Sequence, residues 1–504
     1  MDIVIGYGSV VLFLLLVVAV LERTHRNSDD FGDFAVAGRS FGSWFQSMAF
    51  LNTWLPGTVF IAFAGFSAAA GFIGFYMVFY SLLAILFMFF MAERVHNWGV
   101  RFGLHTQADF VGMRYNSTPV RVVAAVIGVA SVFPWLVLGF QSLGLVFHYL
   151  SFDRFSVKEG ILIGIAVLAI RQIWVVRMGM RGIVISDMVQ GIFAYGIGGL
   201  IALGLLIWLI REGASFDQLP EAFYSLPNGD TPGYGSLYFL SITLTGALGA
   251  WCWPDIFVRL FTAKSAATVR KSAVKAAPIF FVFATALLLM SMLAFTLPEV
   301  AALPDNVWFL TADHGGPVLL SLAGICVLAA TMGNVNAINA AVGTHASQDI
   351  IHVRGATDAT VTRTAKLVIV LSTIIAVAWS WYTVEQTDGQ DLYKLALMSY
   401  AGIVQLAPAL YFGIFWRRGT ALGAVVGMVV GFVVAAWLQF EYPNAIEGLW
   451  GLTSGTVGLA VNVVLYLVLS IARPQSPAER ERVESLYDDL SGSPRSARPA
   501  EPVA

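Results

Sequence analysis

The chain has 504 residues, of which 58% are hydrophobic and 12% charged, with a formal net charge of −2 and a mean hydropathy of +0.76. A water-soluble protein of this size is roughly one quarter charged, so composition excludes a soluble domain and points to a polytopic membrane protein. The two cysteines, Cys252 and Cys326, fall in apolar runs and read as small packing groups, not as a disulfide or a metal site.

At about 20 apolar residues per crossing, thirteen spans are expected, near 3–21, 43–67, 70–92, 119–149, 159–176, 183–210, 237–257, 276–296, 317–343, 365–384, 393–415, 420–439 and 448–472. All are predicted helical, because an open sheet edge finds no hydrogen-bond partner in lipid. The N-terminus carries Asp2 and no basic n-region, and no small-residue cleavage site follows the first run, so it reads as a span and not a cleaved signal. With that end outside, the odd-numbered connections and the tail are cytoplasmic. They hold all of the 29 Lys and Arg residues except Arg154, Lys158, Arg211 and Lys394, which is the positive-inside pattern. The organisation predicted is a first helix and loop (1–42), spans two to six (43–211), an outer loop with spans seven to eleven (212–418), spans twelve and thirteen (419–472), and a disordered cytoplasmic tail (473–504) rich in Pro, Ser, Arg and Glu.

Span two contains Asn52-Thr53-Trp54-Leu55-Pro56-Gly57-Thr58. Proline removes a backbone donor and glycine adds freedom, so the helix is expected to break there. A broken helix at membrane depth is tolerated only against protein or a water-filled cavity, and paired breaks of this kind mark the binding site of secondary transporters. A plain proline kink fits the segment equally well. Span four carries Gln141 in an apolar run, placed either against a solute carboxylate or against a neighbouring helix. Arg171 in span five is expected to snorkel to the cytoplasmic face; the sharper alternative is a counter-charge for an anionic solute. The loop 212–236 reads as solvated. Span seven contains Trp251-Cys252-Trp253-Pro254-Asp255, a second interruption that an inverted repeat would set against the first. The rival reading puts these tryptophans in the inner aromatic belt. Span nine is unusually polar, with Thr331, Asn334, Asn336 and Asn339, whose side chains must face the protein interior as interhelical glue or as neutral oxygens for Na⁺ or a polar solute. No metal-ligand spacing, phosphate loop or nucleophile with an adjacent base occurs, so no enzyme is indicated, and no nucleic-acid partner is expected.

At this point the residues resemble a family. Ala37-Gly38-Arg39-Ser40-Phe41-Gly42, Met180-Arg181-Gly182-Ile183 through Ser186-Asp187-Met188-Val189-Gln190-Gly191, and Pro254 through Arg259 to Lys264-Ser265 are similar, in order and at the right spans, to segments of the sodium:solute symporters. The resemblance implies a thirteen-span, N-out/C-in protein with a leucine-transporter-like 5+5 inverted repeat. His105-Thr106-Gln107-Ala108-Asp109-Phe110, Arg114-Tyr115-Asn116-Ser117 and Phe133-Pro134-Trp135 through Gln141-Ser142-Leu143-Gly144 resemble the monocarboxylate-permease branch. In such loop segments similarity is expected to report ancestry and not pocket chemistry.

The family's Na⁺ site, carried over residue by residue, falls on carbonyls of Asn52, Leu55 and Ala330 and on a hydroxyl pair whose positions here are Gly333 and Asn334. Asn334 offers one amide oxygen in compensation; weak or absent Na⁺ binding is the alternative. The function implied is import of a small organic solute, a short monocarboxylate, by Na⁺ symport across the plasma membrane of a bacterium. Thr53, Trp54, Thr58, Gln141, Trp251 and Asn336 are the solute-binding candidates. The alternatives are another solute (an amino acid, sugar, urea or pantothenate), an Na⁺-independent relative, and a transporter-like sensor. H⁺ coupling would demand a mid-span carboxylate, of which the chain offers few.

Overall fold

Every expected span coincides with helical structure. The computed structural model describes residues 2–24, 35–227, 234–352, 355–384 and 390–488. Ten helical stretches among the described residues are long and apolar enough to cross a membrane. The expected spans two, five and seven add a broken helix near 43–70, the helix Val157–Met178 and a second broken helix near 238–262.

In chain order, α1 (Asp2–Arg23) precedes the first broken helix, α2 (Ser43–Trp54) and α3 (Ala62–Ala70). Then come α4 (Tyr76–Arg101), the short α5 (Gln107–Tyr115), α6 (Thr118–Leu150), α7 (Val157–Met178), α8 (Met180–Gly191) and α9 (Gly198–Arg211). The second broken helix is α10 (Tyr238–Gly249), α11 (Pro254–Phe257) and α12 (Arg259–Thr262). It is followed by α13 (Ala266–Ala294), α14 (Gly316–Thr344), α15 (Asp358–Thr383) and α16 (Gln390–Ile403). Last are α17 (Ala421–Glu441), α18 (Ser454–Ala472) and α19 (Pro477–Asp488).

Helix starts follow local chemistry. Thr106 accepts from the Asp109 N–H, Ser117 from Val120 with Pro119 in the first turn, Ser265 from Thr268 and Thr420 from Gly423, each satisfying an orphan amide of a first turn. α5 ends on Asn116 in the left-handed conformation, φ 47°, which asparagine tolerates.

The centre is α14. Its residues from Ala323 to Thr344 are all buried, so it is apolar and enclosed on every side. It packs against α1, α2, α6, α8 and α15. Small residues let the first break lie on it: a Cβ on Gly57 would fall 1.9 Å from Thr331 Oγ1 and 2.7 Å from the Val327 carbonyl oxygen.

Two expectations are corrected. Residues 477–488 are not a disordered tail but α19, with Val483, Leu486 and Tyr487 buried. The helix is docked because Trp98 Nε1 donates to the Leu486 carbonyl (3.1 Å), Tyr487 to that of Gly413 (2.7 Å), and Arg482 to those of Met113 and Arg114 (3.2 and 2.7 Å); residues 489–504 lie outside the described residues. Arg171 does not snorkel. It is fully buried, with Nη1 on the Met332 carbonyl (2.8 Å) and Nη2 on Ser186 Oγ, because α7 lies against α8 and α14 and a backbone carbonyl supplies the acceptor that solvent would otherwise give.

The Gly57 contact yields a test. Gly57→Ala must push backbone as well as a side chain, so it should cost about 1–3 kcal/mol and lower the unfolding temperature in detergent. Gly204→Ala, with nothing within 4 Å of the added carbon, should leave that temperature unchanged.

Candidate functional site

The first break occurs at Leu55 and Pro56, whose ψ values of 79° and 168° are non-helical. The carbonyls it frees are taken up by side chains. Tyr195, in the π-helical stretch Ile192–Ile197 that joins α8 to α9, donates its hydroxyl to the Leu55 oxygen (2.7 Å) and to Asn52 Oδ1 (3.2 Å), and Asn334 Nδ2 donates to the Thr53 oxygen (3.1 Å). The second break sits at Trp253, extended at ψ 126° as a residue before proline is biased to be. Gln107, at the start of α5, donates Nε2 to the carbonyls of Trp251 (3.2 Å) and Cys252 (2.9 Å). Gln107 belongs to a loop motif expected to report ancestry alone. It holds the second break in place.

A buried charge cluster ties the two breaks together. Arg259 Nη2 lies 3.1 Å from Asp187 Oδ2 and donates to Thr53 Oγ1 at 2.7 Å. Both side chains of the ion pair are inaccessible. Asn52 Nδ2 donates to Asp187 Oδ1 (3.0 Å) and to Gln190 Oε1 (3.2 Å). With Arg171 on the adjoining Ser186, two guanidinium groups face one carboxylate. Such a cluster stands only where hydrogen bonds replace the lost water.

Beside this cluster, between the two breaks, a small cavity is lined by Thr53, Trp54 and Pro56 of the first break and Trp253, Asp255 and Ile256 of the second. Val132 and Trp135 of α6, Asn334 and Ile338 of α14 and Tyr400 of α16 close it. Trp135, Trp253 and Tyr400 meet edge to face, with centroids 5.4–6.1 Å apart. Tyr400 also lines a second, more polar cavity with Gln439, Asn444 and Thr453, and its hydroxyl is 3.2 Å from that of Tyr80. It partitions the two spaces. Asp255 is 2% exposed, and its Oδ1 has no hydrogen-bond partner.

The sequence profile of the sodium:solute symporter family matches residues 34–431. The chain belongs to that family. Among curated relatives, an uncharacterised symporter of Bacillus subtilis is 22% identical over 93% of this chain and 96% of its own. A monocarboxylic acid transporter of Corynebacterium glutamicum is 24% identical over 88% and 85%, and a monocarboxylate transport permease protein of Rhizobium johnstonii 23% identical over 92% and 96%. Among solved structures, a Na⁺-coupled sialic acid symporter aligns with a TM-score of 0.75 at 13% identity, covering 94% of this chain and 98% of its own. Mhp1, a nucleobase-cation-symport transporter, aligns with a TM-score of 0.54 at 15% identity, covering 90% and 98%. These likenesses show the leucine-transporter-like fold. The protein is therefore a multi-pass plasma-membrane transporter and not an enzyme, and the family as a whole supports ion-coupled solute symport.

Within this symporter the solute candidates divide. Thr53 and Trp54 line the cavity. Trp251 does not: it donates Nε1 to the Ala84 carbonyl (2.8 Å) and stacks on Phe50 at 5.5 Å, while its neighbour Trp253 takes the cavity side. Gln141 bonds Thr383 Oγ1 on α15 (3.0 Å), the interhelical role. Asn336 bonds back to the Met332 carbonyl of its own helix (2.6 Å). Thr58 is buried under the break and outside the cavity lining.

The ion candidates Asn52, Leu55, Gly333 and Asn334 do come together, with Ala330 one turn earlier on α14, yet as placed they do not fit Na⁺. A Cβ on Gly333 would lie 1.8 Å from Asn52 Nδ2, so the amide nitrogen, a donor, fills the space of the missing hydroxyl. The Leu55 oxygen accepts from Tyr195, and Asn334 turns its nitrogen to the Thr53 carbonyl, which leaves Asn334 Oδ1 as the one unpartnered side-chain oxygen of the set. Sodium needs converging oxygens.

The residues missed as site members were Asp187, Gln107, Tyr195, Trp135, Tyr400 and Asp255. The available signal was the Pro254-Asp255 pair itself, an acid placed next to a helix breaker inside an apolar run.

Breaking the charge cluster should be costly. Asp187→Asn leaves two buried guanidinium groups without a counter-charge and should destabilise the protein by about 3–5 kcal/mol, read as a lowered unfolding temperature in detergent. The double variant D187N/R259Q keeps the cluster's net charge and should recover part of that loss.

Proposed function

We propose that the protein imports a short monocarboxylate by ion-coupled symport, with the solute seated between the two helix breaks. The observation that carries this reading is the cavity, built from both broken helices and closed by Trp135, Trp253 and Tyr400. Its aromatic walls suit a short aliphatic stem. Asn334 supplies the polar group for a carboxylate, the second N–H of its amide, since the Thr53 hydroxyl already donates to the Ala49 carbonyl. The named relatives from Corynebacterium glutamicum and Rhizobium johnstonii support the same solute class. Alternating access would rock the two repeats about this site, with Tyr400 as the partition that moves aside between the two cavities.

Uptake of labelled pyruvate and acetate into proteoliposomes, with unlabelled amino acids and sugars as competitors, tests the reading. Trp253→Ala should raise the KM for pyruvate about tenfold, equivalent to ~1.4 kcal/mol of binding. Gln141→Ala, outside the cavity, should leave KM unchanged. Competition by an amino acid or sugar, with no carboxylate uptake, would sink the solute class and leave the fold standing.

A further inference from the structure

We propose that Asp255 is the proton carrier of this transporter, so that the solute enters with H⁺ in place of Na⁺. The inference rests on the monocarboxylate reading above.

Three observations carry it. At the positions that the family resemblance gives to sodium, Asn52 Nδ2 fills the space beside Gly333, the Leu55 carbonyl accepts from Tyr195, and Asn334 Oδ1 is the one side-chain oxygen left without a partner. A carboxylate lies in the solute cavity itself: Asp255, 2% exposed, at the break before α11, with Oδ1 unpartnered. The nearest cation, Arg259, is one turn away on the same segment and is committed to Asp187, Thr53 and the Met180 sulfur.

The elements packed against α11 offer Asp255 no other counter-charge. Within its described residues α2 has no Asp, Glu, Lys, Arg or His, and neither has α14. On α5 and α6, Asp109 and Arg121 are joined in a network with Asp349, while Arg114 donates to the Gly413 carbonyl. On α16, the hydroxyl of Tyr400 is engaged with that of Tyr80.

The chemistry follows from charge. An anionic solute beside an ionised Asp255 meets like-charge repulsion in a cavity poor in water. A protonated Asp255 removes the repulsion and presents an O–H donor to the solute carboxylate. Solute and proton therefore bind in mutual support. The Asp255 carboxylate takes a proton from outer water, the solute anion binds against the carboxylic acid, the cavity opens inward, and both the anion and the proton leave to inner water. One H⁺ crosses with each RCOO⁻, and no net charge moves. Asp187 cannot serve in this way, because its carboxylate is locked to Arg259 and Asn52.

The test uses the full chain in proteoliposomes in sodium-free medium, with labelled pyruvate, a trapped pH indicator and protein-free vesicles to subtract leakage. An inward proton gradient should drive accumulation, uptake should acidify the lumen, and an imposed membrane potential should leave the rate unchanged. Asp255→Asn should lose the lumenal acidification and the stimulation by external acid, whereas Asp255→Glu should keep both. Pyruvate accumulation that requires Na⁺ and leaves lumenal pH constant would overturn the inference while sparing the solute class. So would an Asp255→Asn protein that still acidifies the lumen. If Asp255→Asn does not fold, the wild-type and Asp255→Glu measurements decide. Absence of carboxylate uptake under both gradients would overturn the solute reading and this inference with it.

Discussion

The Arg259–Asp187 ion pair is the constraint on which the interior depends. Arg259 comes from the far side of the second break, Asp187 from α8, and the shared partner Thr53 from the last turn before the first break. One guanidinium group thus fixes the relative position of both interruptions and of the helix that flanks them. A lone ion of either sign at this depth would be expelled or neutralised. The cluster is supported by hydrogen bonds from Asn52 to Asp187 and from Arg171 to Ser186 and the Met332 carbonyl. The cavity is open space only because these groups are held to one side of it.

Much of the fold was legible in the chain. Apolar runs of bilayer length and the one-sided distribution of Arg and Lys state the spans, and Pro56 and Pro254 stand at the two breaks, while Pro134 and Pro278 lie inside unbroken helices. Site membership was less legible, because a break tells where carbonyls are freed but not which side chain arrives to meet them. Asn52 and Asp187 are 135 residues apart, and Thr53 and Arg259 206; local pattern carries no information at such separations. The choice between Asn334 and Asn336 was harder than it looked. Two residues on an α-helix point about 200° apart, so only one of them can face the breaks, and nothing in a helix enclosed on every side says which. Trp251 and Trp253 posed the same problem across a bend.

The tail taught the opposite lesson. Its composition is that of a solvated end, yet Val483, Leu486 and Tyr487 recur at helical spacing and find a groove between α4, α5 and the residues before α17. Three basic side chains, Arg94, Arg114 and Arg417, sit over the Tyr487 ring at 5.1–5.6 Å. A short apolar stripe inside a charged segment outweighed the bulk composition, since only the buried face needs to be apolar.

The fit of Asn52 against Gly333 also bears on substitution. Either residue alone is awkward. A serine at 333 collides with the Asn52 amide, while a smaller residue at 52 leaves Asp187 short of a donor and an unfilled gap beside the glycine. The two positions therefore form a coupled pair, in which a change at one alone leaves a clash or a hole. Positions 52 and 333 are therefore expected to tolerate replacement together and not one at a time.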